Sequence, residues 1–151
     1  MSSSDDIKEK INNGDLEGAL NILDSFSSLF ESNELENMKV NLIKSFIGKL
    51  IKDGKFDEAI RKIDIYKAKY WKYKEDFIKY ESSAYFNLAK KENEEDKIDS
   101  ALKHLEISSS LDSDNEQDQL LIIQILINKK NYMIKPYKEL VKLKTIYQKK
   151  I

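Results

Sequence analysis

Apolar residues along this chain recur at intervals of three and four, the spacing that places side chains on one buried face of an α-helix. The clearest stripe lies in residues 43–51. It consists of Ile43, Phe46, Ile47, Leu50 and Ile51. A second stripe contains Ala101, Leu102, Leu105 and Leu111. Strand-like alternation is weak, and only one Pro and four Gly interrupt the chain. The pattern therefore predicts an all-α protein.

One apolar run, residues 120–127, has the composition of a buried strand as well as that of a buried helix. Asp114, with Gln117 three residues later, predicts a helix N-terminus just upstream of it, because such side chains cap exposed backbone amides. No other strand is predicted that would pair with the run. We therefore expect a helix that is buried on most of its surface.

A short pattern occurs three times, in residues 14–20, 54–60 and 96–102. The copies read GDLEGAL, GKFDEAI and DKIDSAL, and their alanines are separated by 40 and 42 positions. A glycine permits the positive φ that ends one helix. The acidic residue favours the N-terminus of the next helix, where backbone amides are exposed. The small alanine permits close approach of the paired helix. Each copy is therefore predicted to be the corner of a helical hairpin.

The surroundings of the third copy resemble the tetratricopeptide repeat (TPR) family. Residues 84–89, AYFNLA, are similar to the family's Ala-Trp-Tyr-Asn-Leu-Gly in its first helix, and Ala101 and Leu105 match positions in its second helix. The resemblance implies one domain, 1–151, folded as an all-α, right-handed α-α superhelix (TPR-like solenoid) of about four helical hairpins. These hairpins are predicted at 4–31, 34–70, 74–111 and 115–150.

The fourth predicted hairpin departs most from the repeat pattern. Lys135 occupies the place of the small alanine, and Pro136 is expected to begin a basic, amphipathic helix over residues 136–150. We expect this helix to cap the array, because terminal repeats need a polar outer face. Attachment to a membrane surface is the alternative. The repeat spacing exceeds the 34 residues of the TPR, so another type of α-hairpin repeat is the alternative fold.

The resemblance to TPR proteins implies a protein-binding module, an adaptor or chaperone-like protein that holds a peptide or helix in a concave groove. The residues predicted to line that groove are Asn41, Lys44, Gly48, Ile51, Lys52, Ser83, Phe86, Asn87, Lys90 and Asn93. The clamp of co-chaperones that grip heat-shock proteins is not expected. Lys44 and Asn87 fit its pattern, whereas Gly48, Gln117 and Leu121 do not.

Two other functions remain open. One is a structural subunit or self-associating scaffold of a larger assembly. The other is single-stranded nucleic-acid binding through residues 66–80, where aromatic rings alternate with lysines. The rings are Tyr66, Tyr70, Trp71, Tyr73, Phe77 and Tyr80. We expect these rings to pack inward with the lysines in solvent, because a long amphipathic helix produces the same pattern.

Charge is strongly segregated along the chain although the net charge is only −1. Residues 1–37 contain two Lys and nine acidic residues, and 92–118 contain two Lys and ten acidic residues. Residues 38–80 contain twelve Lys or Arg against six acidic residues, and 128–151 contain eight Lys against one Glu. We interpret these blocks as solvated outer faces that attract neighbouring segments, or as charges that steer a partner.

The chemistry of the side chains gives no support to an enzyme. The chain has no Cys, which excludes disulfides and thiolate metal sites, and its single histidine, His104, lies in a predicted helix. Residues 112–118 alternate acidic side chains but lack the Gly and Glu of a calcium loop. We therefore expect no catalytic residues, metal or cofactor. The N-terminus lacks signal-peptide features, and no apolar run approaches the roughly 20 residues of a membrane span, so we expect a cytoplasmic protein.

Overall fold

The computed structural model describes residues 3–133 and shows an all-α fold. Within that part of the chain there are seven α-helices, two short 3-10 turns and no strand. The helices are α1 (Ser3–Asn12), α2 (Leu16–Asp24), α3 (Ser32–Lys52), α4 (Phe56–Lys69), α5 (Lys74–Glu94), α6 (Ile98–Leu111) and α7 (Glu116–Met133). The 3-10 turns are Ser27–Leu29 and Trp71–Tyr73. The expected helix over 136–150 lies outside the described residues.

The three predicted corners connect α1 to α2, α3 to α4 and α5 to α6. Gly14 and Gly54 each have a φ of 78°, which confirms the predicted positive φ. At the third corner Asp96 takes the same conformation, with a φ of 63°. In each case the amide one residue further on donates to the carbonyl five residues before it, over 2.8 Å. This is the hydrogen bond of a Schellman motif, and it satisfies a carbonyl at the end of the first helix.

The helix that follows each corner begins as the sequence predicts. Its first turn contains an acidic residue of the repeated pattern, which is Glu17, Asp57 or Asp99. The repeated alanines Ala19, Ala59 and Ala101 are all fully buried. A larger side chain at these positions would separate the paired helices, so the small residue determines how closely they pack.

The corners lead to a matched pair of substitutions. We expect Gly54→Ala to lower the free energy of unfolding by about 1–2 kcal/mol, because a Cβ is strained at positive φ even though no atom lies within 4 Å of it. Asp96→Gly should raise it by a few tenths to about 1 kcal/mol, because the strain at φ 63° is released. Urea denaturation followed by circular dichroism measures both.

The control for the corner pair is Gly48, which lies inside α3. A Cβ at this position would lie 3.6 Å from the Tyr80 ring, an ordinary contact. Gly48→Ala should therefore stabilise the protein by up to about 1 kcal/mol through helix propensity. Equal losses from Gly48→Ala and Gly54→Ala would contradict the role of positive φ at the corner.

Pairs of side-chain contacts show the relative directions of neighbouring helices. Ser82 bonds to Ser108 far from the third corner, and Glu92 bonds to His104 near it, so α5 and α6 are antiparallel. In the same way, Asp118 meets Ser108 and Lys129 meets Asp99, so α6 and α7 are antiparallel. It follows that α5 and α7 point in the same direction.

Helices α3 and α5 also point in the same direction, but they are displaced along each other. Lys44 Nζ lies 3.3 Å from Asp76 Oδ2, and Gly48 lies against Tyr80, so both contacts join residues 32 positions apart. The corners at the ends of these helices, Gly54 and Asp96, are 42 positions apart. The difference of ten residues displaces α5 by about 15 Å along α3, at 1.5 Å per residue.

Most of the buried apolar side chains in the described part of the chain belong to one of two clusters. The larger joins α2, α3 and α4 to the first turn of α5. Its members are Leu16, Leu20, Val40, Ile43, Phe46, Ile47, Leu50, Ala59, Ile63, Tyr66, Tyr70 and Phe77. The smaller cluster joins the second half of α5 to α6 and α7, and consists of Ala89, Ala101, Leu105 and Ile125. The predicted stripe over 43–51 is therefore confirmed, with Ile51 at its partly buried edge.

The run 120–127 is helical, as predicted, but its predicted burial is wrong. Ile125 is fully buried against the smaller cluster. On the opposite side Leu120, Ile123 and Ile127 are each more than half exposed. Helix α7 packs on α6 and touches α5, and the described helices leave its opposite, apolar stripe uncovered. The helix begins at Glu116 after Asn115, whose side chain accepts a hydrogen bond from the amide of Gln117, so the predicted cap at Asp114 is wrong by one residue.

The aromatic residues of 66–80 mostly face inward, as expected. Tyr66, Tyr70 and Phe77 are buried, and Tyr73 and Tyr80 are partly buried against the larger cluster. The long helix expected here is two helices joined by the turn Trp71–Tyr73. Trp71, in that turn, is 69% exposed. A series of neighbouring exposed rings, which single-stranded nucleic acid would need for stacking, is therefore lacking in this segment.

Candidate functional site

An apolar groove lies where α1 begins, α2 ends and α3 begins. It has a volume of about 520 Å³ and is called the N-terminal groove below. Its apolar lining consists of Ile7, Leu23, Phe26, Leu29, Phe30, Met38 and Leu42. Ser3, Ser4 and Lys8 of α1 complete the wall. A second cavity of about 410 Å³ shares four of these residues and extends along α3 to Asn41 and Ser45.

Several large apolar side chains of this groove are in contact with solvent. Leu29 is 71% exposed, Met38 is 38% exposed and Phe30 is 37% exposed. A single exposed apolar side chain is common on protein surfaces, whereas several that converge on one concave surface mark an interaction site. The groove therefore has the composition of a site that holds an apolar face of another molecule.

Local sequence explains why these side chains are not covered. Helix α2 ends at Asp24, and the 3-10 turn Ser27–Leu29 carries the chain to an extended Phe30 before α3 begins at Ser32. Helix α1 has 10 residues, whereas α3 has 21, and α1 packs mainly on α2. The apolar side chains around the turn consequently face open space.

The surroundings of the groove are acidic. The segment that builds it, residues 3–45, contains nine acidic side chains and four lysines. Glu31 and Glu34 lie at the start of α3 and are exposed, and Glu34 lies one helical turn before Met38. Asp24 is already paired with Lys39. An apolar floor with an acidic rim favours a ligand that is both apolar and basic.

The groove residues predicted in α3 lie along its length. Asn41 lines the extension of the N-terminal groove. Lys44 forms the ion pair with Asp76 that joins α3 to α5. Ile51 packs against the larger core cluster, and Lys52 is exposed at the end of the helix. Asn41 thus belongs to a cavity that is open to a ligand.

The groove residues predicted in α5 are separated from those of α3. Asn87 Nδ2 donates to the carbonyl of Ser83, over 2.8 Å, within the same helix. Phe86 packs against the smaller core cluster, and Lys90 is exposed. Asn93 lines a cavity of about 220 Å³ near the third corner. Because α5 is displaced by about ten residues, Ile51 lies at the level of Ser83, and the later α5 positions lie beyond the end of α3.

Two polar clusters lie between helices α5, α6 and α7, and the first is buried whereas the second is partly buried. Ser108 Oγ lies 3.0 Å from both carboxylate oxygens of the fully buried Asp118, and it also meets Ser82. Burial raises the pKa of Asp118, the hydrogen bond from Ser108 lowers it, and the charge of Asp112 raises it. In the second cluster His104 Nδ1 donates to Glu92, and its ring stacks on Tyr85 with 5.7 Å between centroids.

These polar clusters act between helices and not at the groove. Their polar groups satisfy one another, and Asp118 has no exposed surface. Within residues 3–133, no three His, Cys, Asp or Glu side chains lie close enough together to hold a metal ion. The N-terminal groove would bind a ligand through apolar contacts and through the charges that surround it.

Apart from Asn41 at its edge, the residues of the N-terminal groove were not predicted from the sequence. Phe26, Leu29 and Phe30 follow α2 in the segment SFSSLF, where the helical spacing ends. Large apolar side chains in a segment without a helical stripe indicate a surface that could bind another molecule. Met38 and Leu42 belong to α3 but fall outside the stripe that starts at Ile43.

Comparison of the chain with protein-family models, curated proteins and solved structures finds no match. Among the helices of the described part, none is long and apolar enough to cross a membrane.

Proposed function

We propose that this protein is a protein-binding module that holds a helix of a partner in the N-terminal groove. The single observation that carries the proposal is the convergence of exposed Leu29, Phe30 and Met38 on one apolar concavity. Amphipathic helices bind such grooves through apolar side chains spaced three and four residues apart. Burial of these exposed side chains by a partner helix would supply binding energy of about 25 cal/mol per Å².

We further propose that the fold is a TPR-like helical repeat. Three equivalent corners, each followed by an acidic first turn and a fully buried alanine, support a repeated hairpin unit. The parallel direction of α3, α5 and α7 also agrees with a stack of such units. The displacement of α5 along α3 moves the predicted binding residues apart, which is why the proposal assigns the ligand to the N-terminal groove and not to the full set of predicted positions.

The proposal is tested by selection of peptides from a displayed library of helical sequences against the purified protein. We expect the recovered peptides to be amphipathic and basic. Leu29→Asp should raise their dissociation constants tenfold or more, because burial of a carboxylate in an apolar groove without a partner is unfavourable. Fluorescence anisotropy with labelled peptides measures the change.

The matched control is Ile65→Asp on α4, where the replaced side chain is 56% exposed and lies outside the groove. This variant carries the same added charge and should bind the peptides as tightly as the wild type does. Peptides that bind the Leu29→Asp variant as well as the wild type would show that the groove is not the binding site.

A further inference from the structure

A segment of this chain has the apolar character that the N-terminal groove would accept. With its extension, the groove is lined on α3 by residues from Met38 to Ser45, which span about 11 Å, and by Leu29 and Phe30 before α3 begins. The sequence of 136–150 predicts an amphipathic helix of about 22 Å. Its apolar stripe would contain Tyr137, Leu140, Val141 and Tyr147.

The charges are complementary as well. Residues 128–151 contain eight Lys and one Glu, a net charge of +7, whereas the segment that builds the groove, 3–45, has a net charge of −5. Opposite charges around an apolar contact accelerate association and select the partner. This basic block contains the amphipathic helix that the sequence predicts over 136–150.

We infer that the N-terminal groove is the docking site for residues 134–151 of a second copy of this chain, so that copies associate head to tail. The inference rests on the proposed function of the groove and names its occupant. A groove at one end and an inserted segment from the other end produce a heterologous contact, which can extend beyond a dimer.

Geometry excludes the same copy as the source of the segment. The end of the groove nearest to α7 is at Ser45, which lies level with Phe77 by the register of α3 and α5, and Asn93 lies 16 residues further along. This separation is about 24 Å along the helix axes. Asn93 lines the same cavity as Lys129, so α7 ends at the far side of the array from the groove. Residues 130–135 span about 20 Å even when fully extended. A helix that begins at Pro136 cannot reach the groove of its own chain.

The experiment is sedimentation velocity of the full chain over a concentration series. We expect the wild type to show a mass that rises with concentration and falls with added salt, because surface charge is screened. Leu29→Asp in the groove, or Lys142→Glu with Lys144→Glu in the segment, should each weaken self-association tenfold or more. Ile65→Asp should leave it unchanged, and circular dichroism verifies that each variant is folded.

A mixing experiment separates this contact from other modes of association. Glu31→Lys with Glu34→Lys reverses the charge at two positions on the rim of the groove. We expect this rim variant alone to be monomeric. Mixed with the variant that carries Lys142→Glu and Lys144→Glu, the rim variant should form a complex. The rim variant supplies a wild-type segment, and the segment variant supplies a wild-type groove. Failure of the mixture to associate, or a wild type that stays monomeric, would overturn the inference.

A labelled peptide of residues 134–151, titrated into the full chain, distinguishes this inference from the proposed function. Binding that Leu29→Asp weakens tenfold supports both. If library peptides bind in a Leu29-dependent manner while this peptide does not, the groove keeps its function and its occupant is another protein. Self-association that persists in the Leu29→Asp variant would instead assign the contact between copies to another surface, such as the exposed stripe of α7, and overturn the inference.

Discussion

Replacement of Phe77 by alanine is expected to lower the free energy of unfolding by about 3–5 kcal/mol. Phe77 is fully buried, and its ring is the contribution of the first turn of α5 to a cluster otherwise built by α2, α3 and α4. Its removal leaves a cavity at the point where α5 joins the rest of the array. Because domains of this size are stable by only about 5–15 kcal/mol, the loss is a large share of the total.

Urea denaturation at neutral pH measures the effect of Phe77→Ala. Trp71→Ala, six residues earlier, is the control, because it also truncates an aromatic ring but one that is 69% exposed. We expect this control to change the free energy of unfolding by less than about 1 kcal/mol. Similar losses from the two variants would contradict the assignment of Phe77 to the core and of Trp71 to the surface.

The second large effect concerns the buried carboxylate of Asp118. Ser108→Ala removes the hydroxyl that lies 3.0 Å from both its oxygens and is expected to lower stability by about 1–3 kcal/mol at pH 7. The charged carboxylate would then be buried without that donor. Thermal unfolding followed by circular dichroism measures the change.

The pH dependence of this effect has a definite sign. Burial raises the pKa of Asp118 above its ordinary value, so the folded state holds the proton more tightly than the unfolded state does. The penalty of the buried charge is therefore present above the folded-state pKa and is lost as the pH falls below the unfolded-state pKa of about 3.9. The loss caused by Ser108→Ala should accordingly shrink between pH 7 and pH 4.

Asp118→Asn provides the control for this pH profile. It removes the charge, so Ser108→Ala in that background should lose the pH dependence that it shows in the wild type. A loss that is the same at pH 7 and pH 4 in the wild-type background would show that the charge of Asp118 is not the cause. The single histidine, His104, is present in both backgrounds and cancels in the comparison.

Candidate binding residues were harder to predict than the helices. The family resemblance placed Lys44, Phe86 and Asn87 on one concave surface, which would require equivalent positions of α3 and α5 to lie side by side. That assignment stays a prediction; the structure shows that Lys44 pairs with Asp76 and that α5 is displaced by about ten residues along α3. Such a displacement depends on how the side chains of two helices interlock. The spacing of apolar residues within either helix does not predict it.

The sequence by itself determined the local elements of this protein. Positions of apolar residues at intervals of three and four define the buried stripe of α3, and the glycines at 14 and 54 define two corners, because only a residue without a Cβ adopts positive φ without strain. Asp96 shows that the rest of the pattern marks a corner even where the glycine is replaced.

Only the tertiary structure decided which apolar side chains are covered. Leu29 and Leu35 are both leucines near the start of α3, yet Leu29 is 71% exposed and Leu35 is buried. Ile123 and Ile125 of α7 differ in the same way. The hydrophobic effect drives every apolar side chain toward burial, but the number of neighbouring helices limits how many are buried. The apolar surfaces left open, at the N-terminal groove and on α7, are therefore properties of the packed array, and the proposed binding function rests on the first of them.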